Sequence, residues 1–455
     1  MPMASNQTIP DVIIAPATPT GHSGLAVIRI SGNGAAALVA SVFRPRGLAD
    51  GWEPNRSYLG WLHDPATGEA LAEIRMTFFR GPHSYTGEDL IEITSHGNPY
   101  LVERIITLFL ECGARLAQPG EFTRRALISG KLDLLQAEAV ADTIYAVGDE
   151  ARRMAVSQYE GNLSAVIRDL QNGIADVTAR VEAIIDFPEE EDTILDQEQC
   201  SQQLRELHAR MTDLLKGADV GHKIRAGYQV LILGRANVGK STLFNRLLGY
   251  DRALVHETPG TTRDHIEETI RCGGLCLHLT DTAGLLQAAG GADRMAAERT
   301  KQMTPVADLL VLVFDGSEPL SEADIKLSEM TVGGNRIFVV NKIDLNQRLG
   351  QSDLLADAVK VSAKTGEHID LLTAAIIKRL TPSRPKGQPL LNRIRHVQSV
   401  QAALGNMDRA MDAIQQTELL AFELHEAMDH LGEVTGQILR QEILERIFSE
   451  FCIGK

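Results

Sequence analysis

The stretch Gly234-Arg235-Ala236-Asn237-Val238-Gly239-Lys240-Ser241-Thr242 directly follows the apolar run Val230-Leu231-Ile232-Leu233. A strand, a glycine-containing loop and a helix start in this order predict a phosphate-binding loop, in which successive backbone N–H groups point at phosphate oxygens. In such a loop Lys240 reaches the β- and γ-phosphates, and the Ser241 hydroxyl is a Mg²⁺ ligand. We therefore expect the chain to bind a nucleoside triphosphate.

Three further motifs indicate which nucleotide is bound. Asp281-Thr282-Ala283-Gly284 follows an alternating apolar strand, which places its aspartate near Mg²⁺ and its glycine amide near the γ-phosphate. Asn341-Lys342-Ile343-Asp344 has the N-K-x-D spacing, and its aspartate can accept two hydrogen bonds from the N–H edge of guanine. Ser362-Ala363-Lys364 offers backbone amides to the guanine carbonyl oxygen. The four motifs together predict GTP.

The residues that would support hydrolysis are unusual. Many GTPases keep a water-orienting glutamine directly after the Asp-Thr-Ala-Gly motif, whereas this chain has Leu285 followed by Leu286. Because leucine cannot orient water, another polar group has to do so. The carboxamide oxygen of Asn237 can help to hold a monovalent cation beside the phosphates, or Asn237 can brace the loop. These residues alone leave both roles open.

Nearly the whole chain resembles the MnmE (TrmE) family of tRNA modification GTPases, which are potassium-activated enzymes of wobble-uridine modification. Besides the GTPase motifs, the resemblance covers Thr86-Gly87-Glu88-Asp89, Pro119-Gly120-Glu121-Phe122-Thr123-Arg124-Arg125-Ala126, Ile185-Asp186-Phe187-Pro188-Glu189-Glu190 and Phe451-Cys452-Ile453-Gly454-Lys455. The final Cys-Ile-Gly-Lys is the most family-specific of these motifs.

Apolar spacing and the resemblance together predict a multidomain fold that is α/β plus all-α. Alternating strands indicate an N-terminal α/β domain over residues 1–122, and the resemblance implies that this domain is folate-binding-like and dimerises. Apolar residues spaced by three and four, from Leu163 to Ile184 and again from Leu420 to Val434, predict packed helices on both sides of the GTPase motifs. We expect a discontinuous helical domain (residues 123–223 and 380–455) with an inserted Ras-like P-loop GTPase domain (residues 224–379). Two separate helical bundles are the alternative.

The resemblance implies a larger nucleotide and metal site than the motifs alone. The implied GTP contacts are Asn237, Val238, Gly239, Lys240, Ser241, Thr242, His256, Glu257, Thr258, Pro259, Gly260, Thr261, Thr262, Asp281, Thr282, Ala283, Gly284, Asn341, Lys342, Asp344, Ser362, Ala363 and Lys364. The implied ligands are Ser241 and Thr262 for Mg²⁺, and Asn237, Thr261 and the carbonyls of His256 and Thr258 for K⁺. Relatives usually have threonine or serine in place of His256, a change that a backbone ligand tolerates.

Two candidate catalytic residues are also implied. Relatives carry an arginine soon after Gly284 and later a glutamate that orients the hydrolytic water, and the corresponding residues here are Leu286 and Asp293. Aspartate is one methylene shorter, so its carboxylate falls roughly 1.3 Å short unless the glycines before it bring the loop closer, and we expect slower hydrolysis than in relatives. Cys452 is either a nucleophile toward the uracil ring or a packing residue.

A second ligand follows from the resemblance alone. Relatives bind a reduced folate, 5,10-methylene- or 5-formyl-tetrahydrofolate, where two N-terminal domains meet. The matching residues here are Arg29, Glu92, Lys131 and Lys455. A carboxylate such as Glu92 can accept hydrogen bonds from the amide and amino groups of a pterin, and the anionic tail of folate suits Arg29 or Lys131.

Composition places limits on partners and location. The chain has 45 basic and 60 acidic residues and a net charge of −15, so its overall field repels a polyanion, and the expected tRNA partner rests on the resemblance. The resemblance also implies a homodimer and an FAD-dependent subunit, MnmG (GidA), in a heterotetramer. No apolar run reaches membrane length, residues 1–11 lack a secretory core, and the five cysteines are scattered, so we expect a cytoplasmic protein without membrane contact.

The resulting hypothesis is a potassium-dependent GTPase that acts with its FAD-dependent partner. Together they would add an aminomethyl or carboxymethylaminomethyl group to carbon 5 of the wobble uridine of certain tRNAs, using a folate one-carbon unit. The alternative is a GTP-dependent switch in ribonucleoprotein assembly that performs no chemistry of its own.

Overall fold

The computed structural model divides the chain into two compact units. The first unit contains the described residues up to Ala141 together with those from Leu431 onward, and the second contains the described residues from Asp142 to His430. The described residues are 12–47, 51–187, 197–250, 267–281, 307–350, 353–381, 389–438, 441–449 and 451–455. Within these ranges, no helix has both the length and the apolar character needed to cross a membrane.

The first unit is built on one sheet. Its strands are β1 (Ile13–Pro16), β2 (Ser23–Ser31), β3 (Phe43–Pro45), β4 (Ser57–His63), β5 (Ala70–Phe79), β6 (Leu90–Gly97) and β7 (Arg115–Leu116). They form a seven-stranded sheet in the order β3-β4-β5-β6-β2-β1-β7, in which only the β1–β7 pair is parallel. Helices α1 (Ala35–Val42) and α2 (Pro99–Glu111) bury their apolar faces against it.

Strands β2 and β6 show why the functional side chains of this sheet share one face. Side chains alternate between the faces of a strand, and Ile28 and Ile30 of β2 enter the core. Arg29 lies between them and therefore points to the other face. Its partner across the antiparallel pair is Glu92, which also stands between buried isoleucines. The register thus sets a cation opposite an anion.

Three helices complete the first unit: α3 (Glu121–Ile128), the beginning of α4 (Leu134–Tyr145) and the last helix, Gln441–Ser449. Their shared apolar cluster contains Leu127, Leu134, Ala137, Ala141, Ile447, Phe448 and Phe451. This cluster packs the last helix and Phe451 against α3, the helix that begins within the Pro-Gly-Glu-Phe-Thr motif.

The sheet of the second unit is mainly parallel. Its strands are β8 (Tyr228–Leu233), β9 (Glu267–Cys272), β10 (Leu275–Asp281), β11 (Leu309–Asp315), β12 (Arg336–Asn341) and β13 (Val359–Lys360). The order is β13-β12-β11-β8-β10-β9, and only β9 runs antiparallel to its neighbour. All seven residues of β11 are buried, as expected for a central parallel strand. Ligands of such sheets bind at the carboxyl ends of the strands, where the predicted GTP motifs lie.

The described residues after Asp142 also form helices, some of which pack against this sheet. They are α5 (Asp149–Tyr159), α6 (Asn162–Asp186), α7 (Gln197–Lys216), α8 (Ala218–Ala226), α9 (Lys240–Tyr250), α10 (Glu322–Met330), α11 (Ile369–Leu380), α12 (Ile394–Asp412) and α13 (Thr417–Thr435). The long helix predicted from apolar spacing is confirmed as α6, whose buried face includes Leu163, Ile167, Leu170, Ile174, Val177 and Val181.

Helices that precede the sheet in sequence pack against helices that follow it. The His208 imidazole of α7 lies 2.9 Å from the Asp408 carboxylate of α12. The Gln171 amide of α6 donates to the Met428 carbonyl of α13 over 3.2 Å. These contacts are the kind that one helical domain interrupted by a GTPase would need. The domain boundaries drawn from the sequence stay a prediction.

One buried carboxylate joins the two places where the chain enters and leaves the GTPase segment. Asp142 accepts hydrogen bonds from Arg225 Nε (2.8 Å), just before β8, and from Arg393 (2.7 Å), just before α12. The Asn392 amide bonds the second oxygen of Asp142 at 3.2 Å and the Gln158 side chain at 3.0 Å. Both ends of the segment are therefore held at one point on α4.

Candidate functional site

The predicted phosphate loop follows β8 directly and turns through two left-handed residues. Asn237 has φ +68° and Gly239 has φ +97°. A Cβ on Gly239 would lie 2.3 Å from the Asn341 amide nitrogen, so only glycine fits there. Helix α9 begins at Lys240, and its first amides face the loop. Such a helix start favours an anion.

Lys240 is held inside this loop. Its side chain is buried, and Nζ donates to the carbonyls of Gly234 (2.8 Å) and Arg235 (2.7 Å). These two carbonyls hold the ammonium group at the start of the loop. The loop therefore combines a fixed positive charge with main-chain donors, which is the chemistry that phosphate binding requires.

Asn341, at the end of β12, joins the phosphate loop to the predicted guanine loop. Its Nδ2 donates to the Val238 carbonyl over 2.8 Å, and its Oδ1 accepts from the Ala363 amide over 2.9 Å. The side chain is almost completely buried. Of the amides expected to meet guanine, that of Ser362 donates to the Glu367 carbonyl over 3.1 Å and that of Ala363 donates to Asn341, whereas that of Lys364 lies one peptide further on.

Lys342 adopts the left-handed conformation, with φ +66°, and its Nζ donates to Asp315 Oδ2 over 2.5 Å. The other carboxylate oxygen of Asp315 accepts from Ser317 N (2.9 Å) and Oγ (2.6 Å). Burial raises the pKa of Asp315, but the bonds and charge from Lys342 and Ser317 outweigh it, so the pKa lies below its usual value. Sequence reasoning missed Asp315, although an aspartate that ends an apolar strand is a visible signal.

Asp344 and Ser362 are also brought together. The Ser362 hydroxyl donates to Asp344 Oδ1 over 2.6 Å. A second residue that sequence reasoning missed lies beside them: Arg246 of α9 donates from Nε to the Ala363 carbonyl (3.0 Å) and from a terminal nitrogen to the Lys364 carbonyl. No motif includes Arg246, so nothing in the sequence singled it out.

Thr242 is exposed in the first turn of α9, whereas a further set of predicted nucleotide residues lies outside the described part of the chain. These are His256, Glu257, Thr258, Pro259, Gly260, Thr261, Thr262, Thr282, Ala283, Gly284 and Asp293, and for Asp281 only the backbone at the end of β10 is described. Their roles stay predictions.

The two described metal candidates, Asn237 and Ser241, are exposed and carry oxygen ligands of the kind that K⁺ and Mg²⁺ take. The described residues contain no group of three or more His, Cys, Asp or Glu side chains able to hold a metal.

Three of the four predicted folate residues meet in the first unit. Arg29 Nε lies 2.8 Å from Glu92 Oε1, and a terminal nitrogen of Arg29 donates to the Gly454 carbonyl over 3.4 Å. The guanidinium also sits 5.6 Å from the Tyr85 ring centroid. Burial and then the charge of Arg29 lower the pKa of Lys455, while Glu92 acts in the opposite direction. An anionic ligand would relieve this repulsion between two cations.

Gly454 lets the final residues approach the sheet. It has φ +95°, and a Cβ there would lie 2.1 Å from the Pro16 carbonyl oxygen. The Cys452 side chain is exposed, which favours the nucleophile over the packing residue, and its role stays a prediction. The fourth folate residue, Lys131, is exposed beside Gly87. In the described part of the chain no hydrogen bond or ion pair joins its side chain to the other three.

A network of ion pairs around the buried Glu121 and Arg125 lies in the same unit. Glu121 pairs with Arg115 (2.5 Å) and Arg125 (3.1 Å), and Arg125 continues to Glu88 at 2.9 Å. Burial raises the pKa of Glu121, but its arginine and backbone bonds bring it below the usual value. The network joins the motif at residues 86–89 to that at residues 119–126, because Glu88 of the first pairs with Arg125 of the second.

Comparison with known proteins shows similarity to the MnmE (TrmE) family over almost the entire length of the chain. Residues 12–131 match the model "GTP-binding protein TrmE N-terminus", and residues 134–452 match the model "MnmE helical domain". A protein named tRNA modification GTPase MnmE from Aquifex aeolicus is 40% identical over 97% of this chain and 99% of its own length.

The chain belongs to the MnmE family.

Two further MnmE proteins agree with this assignment. That of Moorella thermoacetica is 39% identical over 98% of this chain and 99% of its own length. The MnmE protein of Syntrophotalea carbinolica is 40% identical over 98% of this chain and 99% of its own length. The fold and family predicted from the sequence, with an N-terminal TrmE domain, a helical MnmE domain and a GTPase, are confirmed. The MnmE family assignment also makes the chain a GTP-binding GTPase.

Proposed function

We propose that this MnmE chain is a potassium-activated GTPase that takes part in modifying the wobble uridine of tRNA. The observation that carries the nucleotide part is the bridge made by Asn341, which ties the phosphate loop to the guanine-reading loop. One side chain thereby fixes the distance between the two ends of the nucleotide site. A GTP whose phosphates occupy the phosphate loop would therefore have its base at the guanine-reading loop.

In this proposal the metals act around the phosphates. Ser241 and Thr262 hold Mg²⁺, and Asn237, Thr261 and the carbonyls of His256 and Thr258 hold K⁺. When bound, such cations neutralise the charge that an arginine finger neutralises in other GTPases. Lys240 supplies the fixed protein charge, and Asp293 orients water in place of the missing glutamine. The exposed carboxamide of Asn237 on its left-handed turn supports this assignment.

The first unit would bind a reduced folate beside Arg29, Glu92 and Lys455. Glu92 accepts from the pterin amide and amino groups, and the two cations hold the anionic tail. The support for this role is that residues from a central strand and from the last position of the sequence converge there. Lys131 belongs to the proposal on family grounds alone.

The partners follow from the family. We infer a homodimer that works in the cytoplasm with the FAD-dependent subunit MnmG and takes tRNA as substrate. The relatives carry tRNA modification in their names, which supports the tRNA part. The folate one-carbon unit and the partner's redox cofactor would together supply the group added to carbon 5 of uridine.

The proposal is tested by steady-state GTP hydrolysis in potassium and in sodium at matched ionic strength. We expect strong stimulation by potassium and loss of that stimulation in Asn237→Ala. Asn245→Ala is the matched control, because Asn245 is an exposed asparagine on α9 outside the loop. Equal rates in both salts would overturn potassium activation. Equal stimulation in the wild type and Asn237→Ala would overturn the role of Asn237.

A further inference from the structure

Arg246 contacts the guanine-reading loop from outside the sequence motifs. It lies on α9, the helix that begins with the phosphate-binding Lys240, and its side chain is half-buried. Its Nε donates to the Ala363 carbonyl over 3.0 Å, and a terminal nitrogen donates to the Lys364 carbonyl. Two consecutive carbonyls are thus held by one planar cation, whose fork geometry restricts their orientation.

Fixing these carbonyls also fixes the direction of the amides. In a trans peptide, the C=O and the following N–H point in opposite directions. When Arg246 holds the Ala363 carbonyl, the Lys364 N–H faces away from Arg246. Likewise, the Lys364 carbonyl and the Thr365 N–H belong to one peptide, and that N–H donates to Ser362 Oγ over 3.2 Å.

The opposite side of the loop is held by Asn341, which accepts the Ala363 amide at 2.9 Å. The loop is therefore clamped between a helix and a strand end. A cation on the carbonyl oxygen also polarises the peptide and makes its N–H a stronger donor.

We propose that Arg246 is a positioning residue that directs the Lys364 N–H at the 6-oxygen of guanine and so helps to set base specificity. The inference rests on the proposed role of the 362–364 loop in reading that oxygen. Because Arg246 and Lys240 share α9, the helix that binds phosphate also orients the loop that reads the base.

Nucleotide analogues separate this role from general stability. 6-Thio-GDP replaces the 6-oxygen with sulfur, a weak acceptor, and IDP keeps that oxygen but lacks the 2-amino group. Calorimetric titration of the full chain with GDP, 6-thio-GDP and IDP gives both discrimination ratios. We expect the wild type to bind GDP about tenfold more tightly than 6-thio-GDP, because one hydrogen bond contributes about that factor to affinity. Arg246→Ala should lose most of this preference and keep its preference for GDP over IDP.

Two control variants make the result specific. Arg336→Ala removes another arginine–carbonyl bond, to Ser328 at 2.8 Å, and should leave both ratios unchanged. Asp344→Asn should reduce the preference for GDP over IDP. Equal weakening of all three ligands in Arg246→Ala, or an unchanged 6-thio-GDP ratio, would overturn the role of Arg246. A wild type that does not distinguish 6-thio-GDP from GDP would instead overturn the proposed role of the loop.

Discussion

A few side chains hold the loops of the nucleotide site in place. They bond main-chain groups of those loops, or they pair with a side chain at the end of a neighbouring strand. Lys240 bonds two carbonyls of its own loop, and Asn341 bonds a carbonyl of that loop and an amide of the next. Lys342 is held by Asp315 on the neighbouring strand. The contacts of Asn341 and Lys342 each join two segments, so losing either side chain should release a loop rather than one bond.

Asp315→Asn should weaken GDP binding by about tenfold at neutral pH, because Lys342 loses a charge-assisted hydrogen bond. The folded pKa of Asp315 lies below its unfolded value. Its stabilising contribution is therefore complete above the usual aspartate pKa of about 3.9 and is lost as the pH falls through the folded pKa. Melting temperatures of both proteins over a pH series check this. A gap between them that stayed constant into the acid range would contradict it.

The cysteines should differ sharply in reactivity. Burial raises the pKa of the Cys276 thiol to about 11, whereas Cys452 is exposed. Because the thiolate is the nucleophile, iodoacetamide at about pH 8 should label Cys452 and leave Cys276 unmodified in the folded protein. Mass spectrometry after limited labelling measures this, with protein unfolded in urea as the control in which both react. Early labelling of Cys276 would contradict its described burial.

At the scale of elements, buried contacts connect the GTPase segment to the helices that flank it in sequence. Asp142 on α4 receives Arg225 from the end of α8 and Arg393 from the start of α12. The Gly148 backbone before α5 approaches the β9–β10 turn so closely that a Cβ would lie 2.4 Å from the Gly274 carbonyl. Strand β10 leads from that turn to Asp281. The helices are therefore in contact with the strand that carries a phosphate-site motif.

Asp142→Asn should destabilise the second unit by about 3 kcal/mol, because two arginines lose a buried carboxylate. Asp213→Asn is the control: its pair with Lys216 is exposed, and such pairs contribute less than about 1 kcal/mol. Thermal unfolding of both variants beside the wild type measures the difference. Similar melting temperatures for the two variants would show that the Asp142 cluster contributes no more than a surface pair.

At the scale of the whole molecule, the last residues of the sequence complete a site whose other parts lie near its start. The Gly454 carbonyl accepts from Arg29, and Lys455 lies within reach of the charges of Arg29 and Glu92. The buried Phe448 and Phe451 hold these residues in place. The proposed folate site therefore depends on packing of the last helix.

Gly454→Ala should weaken folate binding by about tenfold or more, because its Cβ would meet the Pro16 carbonyl and a left-handed residue would be strained. Potassium-stimulated GTP hydrolysis should stay near the wild-type rate, since its residues belong to the second unit. Ile453→Ala, a change at an exposed neighbour, is the control and should bind folate normally. Fluorescence titration with 5-formyl-tetrahydrofolate provides the readout. Normal binding by Gly454→Ala would show that the last residues do not complete the site.

The sequence by itself determined the phosphate loop, the guanine motif, the long helix α6 and the family, because each depends on residues close together in the chain. Tertiary structure alone decided that Asp315 holds Lys342, that Arg246 contacts the 362–364 loop and that Arg29 donates to the Gly454 carbonyl. Arg29 and Gly454 are 425 positions apart. Local spacing encodes strands, helices and loop chemistry, whereas contacts over such separations arise only when buried apolar faces pack and bring distant segments together.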